Sequence, residues 1–534
     1  MKRAPQMLLL LTSLGAIVAH AQTYNTPIQH VIVIIQENRT PDNLFGAQTN
    51  GKFLEPGVNL VVNGNSYGTS VPLAKVPLTT CYNPSHGNKD WQAMYDGGKM
   101  DGANGEKIQN PLGSQCQVPP TNVPFAYVEN DSGNNYAVNP YFMIAQQFGF
   151  ANYMFQTNQG PSFPAHQFLF TGTSAPVSYP NTYYDWFVSE EPPSIGKNAG
   201  ATGCVAQPTT SVLEMDDTVP YTEKAGYAPP GAIAGFPCYS HNTVASVLDP
   251  ASVTWKYYAQ TQTELWSAPV AIDALCVPSL SEGGGTCTGA EFNSNVVTPS
   301  AGILTDIRDC ALPGVSFVVP DGAWSDHGGQ GDKGYGPSWV AAIVNSIGQG
   351  MSGSKCNPLG SPVYWNNTVV LVTWDDWGGW YDHVAPPNLG FSNGTGQQYV
   401  YGFRVPLLVV SAYSVSKAYV SGAWTTGPQP MACPFSTTPQ YCHDFGSILN
   451  FIEYVFGSGG KPLSDISPTY HYADYLAPDA PFNCGVSCPY SLSDFFNFSR
   501  QPNKFVSISA PYDAKFFLNY TGGPVDPDDD ADEE

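Results

Sequence analysis

The chain has 534 residues, of which 42% are hydrophobic, 13% aromatic and only 12% charged. This composition excludes a long disordered polyampholyte, and the length excludes a small disulfide-stapled module. Acidic residues outnumber basic ones by 43 to 20, and the resulting net charge of −23 argues against a nucleic-acid partner because it repels phosphate backbones.

The N-terminus has the pattern of an export signal. Lys2 and Arg3 precede an apolar stretch at residues 7–19, and Ala19-His20-Ala21 forms a small-x-small cleavage site. The stretch is too short to cross a bilayer as a helix, and no other run approaches about 18 consecutive apolar residues. We therefore predict a signal peptide at 1–21, a secreted or periplasmic mature protein and no integral membrane association.

Four short apolar runs are typical of strands buried on both faces, as in a parallel sheet covered by helices. They lie at residues 30–35, 315–319, 368–373 and 405–410. Helical patterns alternate with them. One is predicted to begin at Ser338 and end at Gly348, and another to begin at Asp444 and end at Gly457. The alternation predicts an α/β fold with a mostly parallel central sheet sandwiched by helices.

Long segments between these elements are rich in Gly, Pro, Ser and Asn, notably at residues 50–135, 175–240 and 260–300. We interpret them as loop insertions held by disulfides, because Cys 12 is an even count that fits an oxidising compartment. Spacing does not fix the connectivity, but plausible bridges are Cys276/Cys287, Cys433/Cys442 and Cys484/Cys488.

No linker divides the chain. We predict a single elaborated domain at 22–520, followed by an acidic disordered tail at 521–534 that contains the run DPDDDADEE.

Polar residues follow the predicted strands at the place where open α/β sheets bind ligands, beyond the carboxyl ends. The first strand is followed by Glu37 and Asn38, and the third by Asp375 and Asp376. Oxygen atoms that converge from two strand ends favour a hard cation. One such acid alone is more often an N-cap or part of a surface turn, but two clusters favour a metal site.

The other candidate positions are less specific. The second strand is followed by Asp326 and His327, and the fourth only by residues 411–413. Ser162 follows a Gly-Pro turn and precedes an apolar stretch with helical character, which suits a nucleophile. A serine in a turn is usually a helix cap, so the residues alone leave both roles open.

Six segments carry a wider resemblance: HVIVIIQENRTPDNLFG at 30–46, SHGNKDWQAMYDGGKMDG at 85–102, GPSFPAHQFLFTG at 160–172, WDDWGGWYDHVAPP at 374–387, YGFRVPLLVVSAY at 401–413 and HDFGSILNFIEYVFG at 443–457. Together they resemble the bacterial phosphoesterase family that contains phospholipases C and acid phosphatases, a branch of the alkaline phosphatase superfamily. The resemblance implies an alkaline phosphatase-like core and a hydrolase acting on phosphoric ester bonds.

Carried over by position, the resemblance implies a set of metal ligands and a set of catalytic residues. The implied ligands are Glu37, Asn38, Ser162, Asp375 and Asp376. Ser162 would also be the nucleophile, while His86 and His327 would contact the phosphate. Further candidates for the site are Thr40, His166, His241, Asp326, Asp382 and His383.

The implied cofactor is one divalent ion, with Ca, Mg, Mn and Zn open as its identity and a second ion beside Asp326 open as an alternative. The implied mechanism is attack by Ser162 on phosphorus, a phosphoserine intermediate and hydrolysis by water. We favour phosphate monoesters as substrates, because the short chain after the last predicted helix is similar to the acid phosphatases.

Two alternatives remain. One is a phospholipase C that cleaves phospholipid headgroups, since aromatic residues in the insertions could bind choline by cation–π contact. The other is a non-catalytic secreted binding protein, which gives no reason for the convergent carboxylates.

Overall fold

The computed structural model describes residues 24–46, 58–109, 116, 118, 121–130, 138–175, 186–188, 202–216, 233–280, 285–329, 331–355, 362–387, 401–423, 442–484 and 488–523. The predicted signal peptide at 1–21 lies outside the described residues, as does the predicted acidic tail from residue 524 onward.

The elements are numbered in chain order. The strands are β1 (His30–Gln36), β2 (Asn63–Ser66), β3 (Thr69–Pro72), β4 (Ala74–Val76), β5 (Asn83–Pro84), β6 (Ile108–Gln109), β7 (Ala126–Val128), β8 (Gly149–Ala151), β9 (Met154–Phe155), β10 (Trp186–Val188), β11 (Val212–Asp216), β12 (Ile233–Gly235), β13 (Trp255–Tyr258), β14 (Val296–Val297), β15 (Val315–Val318), β16 (Thr368–Trp374), β17 (Leu407–Ser411), β18 (Tyr419–Ser421) and β19 (His443–Asp444). The helices are α1 (Pro41–Phe45), α2 (Asn88–Tyr95), α3 (Asn139–Gln147), α4 (Ser162–Thr171), α5 (Ala245–Leu248), α6 (Ala290–Asn295), α7 (Gly302–Asp309), α8 (Gly336–Gln349), α9 (Phe445–Phe456), α10 (Ala473–Leu476), α11 (Pro481–Cys484) and α12 (Ala514–Leu518).

Eight of these strands form the central sheet, in the order β14-β13-β15-β1-β16-β17-β8-β18. The strands from β14 to β16 are parallel neighbours, and β18 is parallel to β8. β17 is antiparallel to both of its neighbours, β16 and β8. The sheet is therefore mostly parallel, and the predicted α/β fold class is confirmed.

The direction of β17 corrects one expectation. The apolar run at 405–410 predicts a parallel strand, which would put residues 411–413 at the ligand-binding end of the sheet. Because β17 is antiparallel, with Leu407 opposite Thr373 near the end of β16, its carboxyl end points away from that site. The residues that precede β17, including Arg404, lie at the ligand-binding end instead.

The central strands are covered on both faces, since every residue of β15, β16 and β17 is buried. Buried runs of β-branched and aliphatic side chains are typical of such strands. Two groups of helices pack together around the sheet: α3, α7 and α12 lie against α8, whereas α4 and α10 lie against α9.

The two predicted helices have different outcomes. α9 begins directly after Asp444, whose carboxylate accepts a hydrogen bond from the backbone N–H of Ser447 in a capping box, and Gly457 follows its last residue. That prediction is confirmed. α8 begins at Gly336 rather than after Ser338, with a proline in its first turn and no side-chain cap. The predicted start is wrong because proline suits the first helical turn.

Each of the three predicted insertions contains a disulfide: Cys81–Cys116, Cys204–Cys238 and Cys276–Cys287. A fourth joins Cys484 to Cys488, so two of the predicted bridges are confirmed. Cys310 and Cys442 are disulfide-bonded as well. The predicted partner of Cys442, Cys433, lies outside the described residues.

Across the described part of the chain, no helix combines the length and the apolar character needed to span a membrane.

Candidate active site

Two adjacent parallel strands place the predicted carboxylates side by side. β1 and β16 are in register up to the pair Gln36 and Trp374, so the next residues of the two strands emerge at the same end of the sheet. The backbone N–H of Asp375 donates to the Gln36 carbonyl over 2.9 Å, and the backbone N–H of Asn38 donates to Asp375 Oδ1 over 3.0 Å. These bonds fix the two polar segments against each other.

A close backbone approach holds this arrangement. Asn38 has a left-handed φ of 61°, and Gly378 has a φ of 61° as well. A Cβ atom at Gly378 would lie 2.4 Å from the Cβ of Asn38, so any side chain there would collide. The N–H of Gly378 also donates to Asp376 Oδ1 over 2.6 Å. Gly378 is thus explained by its contact with the segment after β1, whereas a Cβ atom at Gly379 would lie 2.5 Å from the Cβ of Pro84.

Ser162 joins these carboxylates from a third part of the chain. It is the first residue of α4 and is completely buried. Its Oγ lies 3.2 Å from Asp376 Oδ2 and 3.5 Å from Glu37 Oε2. The hydroxyl of Ser162 therefore sits between carboxylates from two different strand ends, as the sequence analysis predicts.

The turn before α4 is held by side-chain amides. Nε2 of Gln156 and Nδ2 of Asn158 both donate to the carbonyl of Gly160, over 3.0 Å and 2.9 Å. Oε1 of Gln156 accepts a hydrogen bond from the backbone N–H of Trp377 over 3.1 Å. Gln156 thus ties the serine turn to the loop that carries Asp375 and Asp376.

His166 lies on the same face of α4 as Ser162, because the two residues are four apart. Its Nε2 is 3.3 Å from Glu37 Oε1 and 3.9 Å from Asp375 Oδ2. Ligand atoms of Glu37, His166 and Asp375 all lie within 4.8 Å of one another, so that one ion could contact all three. His166 is only a further candidate in the sequence, although its i, i+4 spacing from Ser162 already indicates this position.

The donor set fits a divalent cation. Asn38 Oδ1 and Asp375 Oδ2 are buried and accept no hydrogen bond in the described structure, whereas buried oxygen atoms are normally satisfied. The amide of Asn38 donates through Nδ2 to Nε2 of His86 over 3.0 Å, so its oxygen is not used by that contact. Carboxylate and amide oxygens with one imidazole form a site suited to a divalent metal.

His86 and His327 lie next to each other beside this group, with ring centroids 6.0 Å apart. Nδ1 of His86 contacts the carbonyl of Pro84 at 3.0 Å, and Nδ1 of His327 contacts the carbonyl of Gly328 at 2.5 Å. Each contact favours a proton on Nδ1. Nε2 of His86 also lies 4.0 Å from Asp376 Oδ2, so both predicted histidines reach the site.

Two tryptophans surround the histidines. The ring of Trp266 lies 6.5 Å from that of His166 and 6.2 Å from that of His327, and Trp377 lies 6.0 Å from His86. Trp266 is not among the residues predicted from the sequence, because the insertion at 260–300 has no periodicity that would indicate a position near the site. Trp266 comes to the site through tertiary packing.

Thr40 and Asp326 have structural partners. The Thr40 hydroxyl caps α1 by accepting from the Asn43 N–H, and it donates to the Tyr381 carbonyl over 3.0 Å. Asp326 Oδ2 accepts from the Tyr141 hydroxyl over 2.7 Å and from Trp374 Nε1 over 3.2 Å, while burial raises the pKa of Asp326 to about 6.

These contacts assign Thr40 to helix capping, whereas Asp326 keeps a buried Oδ1 that accepts no hydrogen bond in the described structure. Neither residue belongs to the group formed by Glu37, His166 and Asp375.

Asp382 and His383 belong to a separate polar cluster built around Arg404. The guanidinium of Arg404 binds both oxygens of Asp382, through Nε at 2.8 Å and Nη2 at 2.9 Å. It also lies 3.6 Å from Asp42 Oδ1, and Nδ1 of His383 lies 2.6 Å from Asp42 Oδ2. We define these four residues as the arginine cluster. The structure therefore does not bring Asp382 or His383 to the Ser162 group.

His241 does not join the carboxylates either. Its ring packs against Tyr239 and Tyr472, with centroids 6.1 Å and 6.2 Å away, and its Nδ1 contacts the Asn242 carbonyl over 3.0 Å. Burial lowers the pKa of His241 to about 4. This histidine is therefore a neutral packing residue near neutral pH.

Comparison with known proteins agrees with this geometry. The model of the phosphoesterase family matches residues 28–458. The chain is 22% identical to the non-hemolytic phospholipase C of Pseudomonas aeruginosa over 485 residues, which cover 83% of this chain and 56% of that protein. It is 24% identical to phospholipase C A of Mycobacterium tuberculosis over 433 residues, which cover 74% of this chain and 70% of that protein. The chain thus spans about half the length of the Pseudomonas relative.

Proposed function

The chain belongs to the phosphoesterase family, and from this premise we propose that it hydrolyses phosphate esters through a covalent phosphoserine at Ser162. One observation carries the proposal. The buried hydroxyl of Ser162 lies at the first residue of a helix, 3.2 Å from Asp376 and 3.5 Å from Glu37. A serine that only capped a helix would need no carboxylates from two strand ends beside it, and a helix N-terminus favours an anion.

The residues that would hold a divalent metal are Glu37, Asn38, Ser162, His166, Asp375 and Asp376. When bound there, the ion would lower the pKa of the serine hydroxyl and withdraw charge from a phosphoryl oxygen, which supplies several kcal/mol. Because one imidazole joins several oxygen ligands, we propose Mn²⁺ or Zn²⁺ rather than Ca²⁺.

The chain's own groups account for bonds and protons. Ser162 Oγ gives its proton to Asp376 Oδ2, the acceptor of its hydrogen bond at 3.2 Å, and forms a bond to phosphorus while the ester P–O bond breaks and protonated His327 donates a proton to the departing oxygen. Water then attacks the phosphoserine and passes a proton to His327, the Ser162–phosphorus bond breaks, Asp376 returns the proton to Ser162, and phosphate or its remaining monoester is released. His86 lies beside the phosphoryl position and orients Asn38 through the 3.0 Å contact with its amide.

Two substrates follow from two observations. Several histidines around the serine suit a terminal phosphoryl group with three charged oxygens, which favours phosphate monoesters. Trp266 and Trp377 lie beside those histidines as buried rings, and tryptophan is the side chain that best binds a quaternary ammonium group; the similar proteins are named as phospholipases C. The second observation favours a phosphocholine diester, so both substrate classes are carried into the experiment.

The experiment compares p-nitrophenyl phosphate with p-nitrophenyl phosphorylcholine, using the whole chain after chelation and again after Mn²⁺ or Zn²⁺ is added. Faster turnover of the first compound supports a monoesterase, and faster turnover of the second supports a phospholipase C. We expect no turnover of either compound by the chelated protein.

The nucleophile is tested with Ser162→Ala, which should lower kcat by at least about 10³-fold on both compounds. Ser346→Ala is the matched control, because Ser346 is a buried helical serine whose hydroxyl donates to the Ala342 carbonyl over 2.7 Å. Mass spectrometry of a quenched reaction should find phosphate on the Ser162 peptide. A folded Ser162→Ala protein with normal kcat would refute the proposal.

A further inference from the structure

A second cluster of carboxylates lies where α9 packs against α10, outside the candidate active site. Glu453 is on α9, Asp474 is on α10, and Asp465 lies in the segment that connects the two helices. One carboxylate oxygen of each residue lies within 4.8 Å of the other two. Glu453 and Asp474 are completely buried, and Asp465 is half-buried.

The oxygen atoms of this cluster are poorly satisfied. Both oxygens of Glu453 and Oδ1 of Asp474 are buried without a hydrogen-bond donor in the described structure. Oδ2 of Asp474 accepts from the backbone N–H of Ile466 over 2.7 Å. Buried polar atoms are normally paired, so three unsatisfied oxygens that face one another indicate a missing positive partner.

The protein itself supplies little positive charge here. The ion pairs among the described residues include none with Glu453, Asp465 or Asp474. His471 acts on Asp465 electrostatically, which is the one basic contribution to the cluster in the described structure. An imidazole on the half-buried acid does not neutralise the two buried acids.

We propose that Glu453, Asp465 and Asp474 bind a structural Ca²⁺ ion that is separate from the catalytic metal. Ca²⁺ takes six to eight oxygen ligands in flexible geometry, and carboxylates bind it through one or both oxygens. Three carboxylates with no nitrogen or sulfur donor among them suit this ion. The proposal does not depend on the proposed enzymatic activity.

A proton is the competing occupant. Burial raises the pKa of Glu453 well above its ordinary value and that of Asp474 to about 6, so without an ion Glu453 can hold a proton near neutral pH and share it with Asp474. Binding of Ca²⁺ would release this proton, so the calcium response should grow as pH rises. The two occupants therefore make different predictions when Glu453 is replaced by a neutral amide.

The cluster also touches the helix that carries the candidate nucleophile. Gly172 ends α4 with a φ of +73°, and its carbonyl accepts from the Ala473 N–H over 2.9 Å. A Cβ atom at Gly172 would lie 3.1 Å from Asp474 Oδ1. Ser162 stands at the other end of α4, about 15 Å along the helix axis. The ion would thus stabilise the packing of α9 against α10 and, through the contact with Gly172, the position of the C-terminal end of α4.

The test measures thermal unfolding in an Asp375→Asn background, which removes binding at the candidate active site. After chelation, addition of about 2 mM CaCl₂ should raise Tm by roughly 3 °C or more. Glu453→Gln should abolish that rise, because it removes a carboxylate ligand, and it should change Tm of the calcium-free protein little, because glutamine resembles the protonated acid in shape and charge. Calorimetric titration with CaCl₂ should lose one binding site in this variant.

Two further variants complete the design. Asp465→Asn lies at the half-buried position and replaces Glu453→Gln as the test variant if that more buried substitution impairs folding. It should weaken the calcium response. Glu291→Gln is the matched control, because Glu291 faces only one other acid, Asp249, and its calcium response should stay unchanged. The proposal is wrong if Ca²⁺ leaves Tm of the parent unchanged, or if Glu453→Gln responds to Ca²⁺ as strongly as the parent does.

Discussion

Two groups of buried carboxylates lie near the ligand-binding end of the central sheet, and their charges are balanced in different ways. In the arginine cluster, Arg404 binds Asp382 through two hydrogen bonds of 2.8 Å and 2.9 Å and lies 3.6 Å from Asp42. In the group around Ser162, Glu37 and Asp375 face the imidazole of His166 at 3.3 Å and 3.9 Å.

The difference separates a structural cluster from a reactive one. A guanidinium is permanently charged and binds both oxygens of its partner in a fixed geometry, so the charge of Asp382 is already balanced within the protein, although Asp42, Asp382 and His383 also form a compact group of possible ligand atoms. Asp375 Oδ2 and Asn38 Oδ1 accept no hydrogen bond in the described residues, which leaves them available to an ion from solution. Carboxylates of the same type are thus neutralised by a guanidinium in one place and left open to an ion from solution in the other.

The sharpest test of this comparison exchanges one acid in each group for its amide. We expect Asp375→Asn to lower kcat by at least about 10³-fold with little change in stability, because it removes a ligand at the reacting centre. Asp382→Asn should instead destabilise the fold and leave kcat of the folded fraction nearly unchanged. Steady-state kinetics and thermal unfolding of both variants give the answer. Equal kinetic losses would mean that the two groups do not differ in role.

The next test removes the guanidinium group of Arg404. Arg404→Met leaves Asp42 and Asp382 buried without their guanidinium, and breaking a buried pair costs about 3–5 kcal/mol in the free energy of unfolding. Arg308→Met is the control, since Arg308 pairs with Asp309 at 2.9 Å on a partly exposed surface and should cost about 1 kcal/mol or less. Chemical denaturation measures both. A small loss for Arg404→Met would contradict its neutralising role.

A third test adds the divalent metal ion to the chelated protein. Mn²⁺ or Zn²⁺ at about 100 times its Kd should add about 2.7 kcal/mol to the stability of the chelated protein. The Asp375→Asn variant should gain much less, whereas Arg404→Met should keep the full gain. Differential scanning fluorimetry over a metal titration checks this. A gain that survives Asp375→Asn would place the ion elsewhere.

The smallest expected effect is a dependence of thermal stability on pH in the acidic range. Although burial alone would raise it, the pKa of Asp42 is held below its ordinary value by His383 and Arg404. A lowered pKa means that the contribution of Asp42 to stability is complete above its ordinary pKa of about 4 and is lost as pH falls through the lower value.

We therefore expect Tm to fall below about pH 4, with a shallower slope in Asp42→Asn. Unfolding curves from pH 3 to 6 measure this slope. An unchanged slope in the variant would show that other carboxyl groups dominate acid unfolding.

Much of the site could be predicted because strand ends are marked locally. Glu37, Asn38, Asp375 and Asp376 each follow an apolar run, and the parallel register of β1 and β16 brings them together as expected. The turn before Ser162 was also recognisable from its Gly and Pro residues. The three-residue metal group adds His166, for which the helical spacing from Ser162 was the available signal.

Other features depend on contacts that no local pattern carries. The run at 405–410 has the same composition whether its strand is parallel or antiparallel, so the direction of β17 and the position of Arg404 could not be derived from it. Likewise, the chemistry of Asp382 depends on its partner. The local sequence around a carboxylate at a strand end is the same whether a guanidinium or a metal ion neutralises its charge.

The distances along the chain between the reacting groups also determine when the site can exist. Ser162 meets an acid 214 residues further on, and Asn38 meets Asp375 across 337 residues. During synthesis on the ribosome, Glu37 and Ser162 therefore emerge well before Asp376, and β16 must still pair with β1, which emerged much earlier. Such long-range pairing forms slowly. A growing chain would therefore have no hydrolase activity until β16 has paired with β1, and a chain truncated before β16 would have none at all.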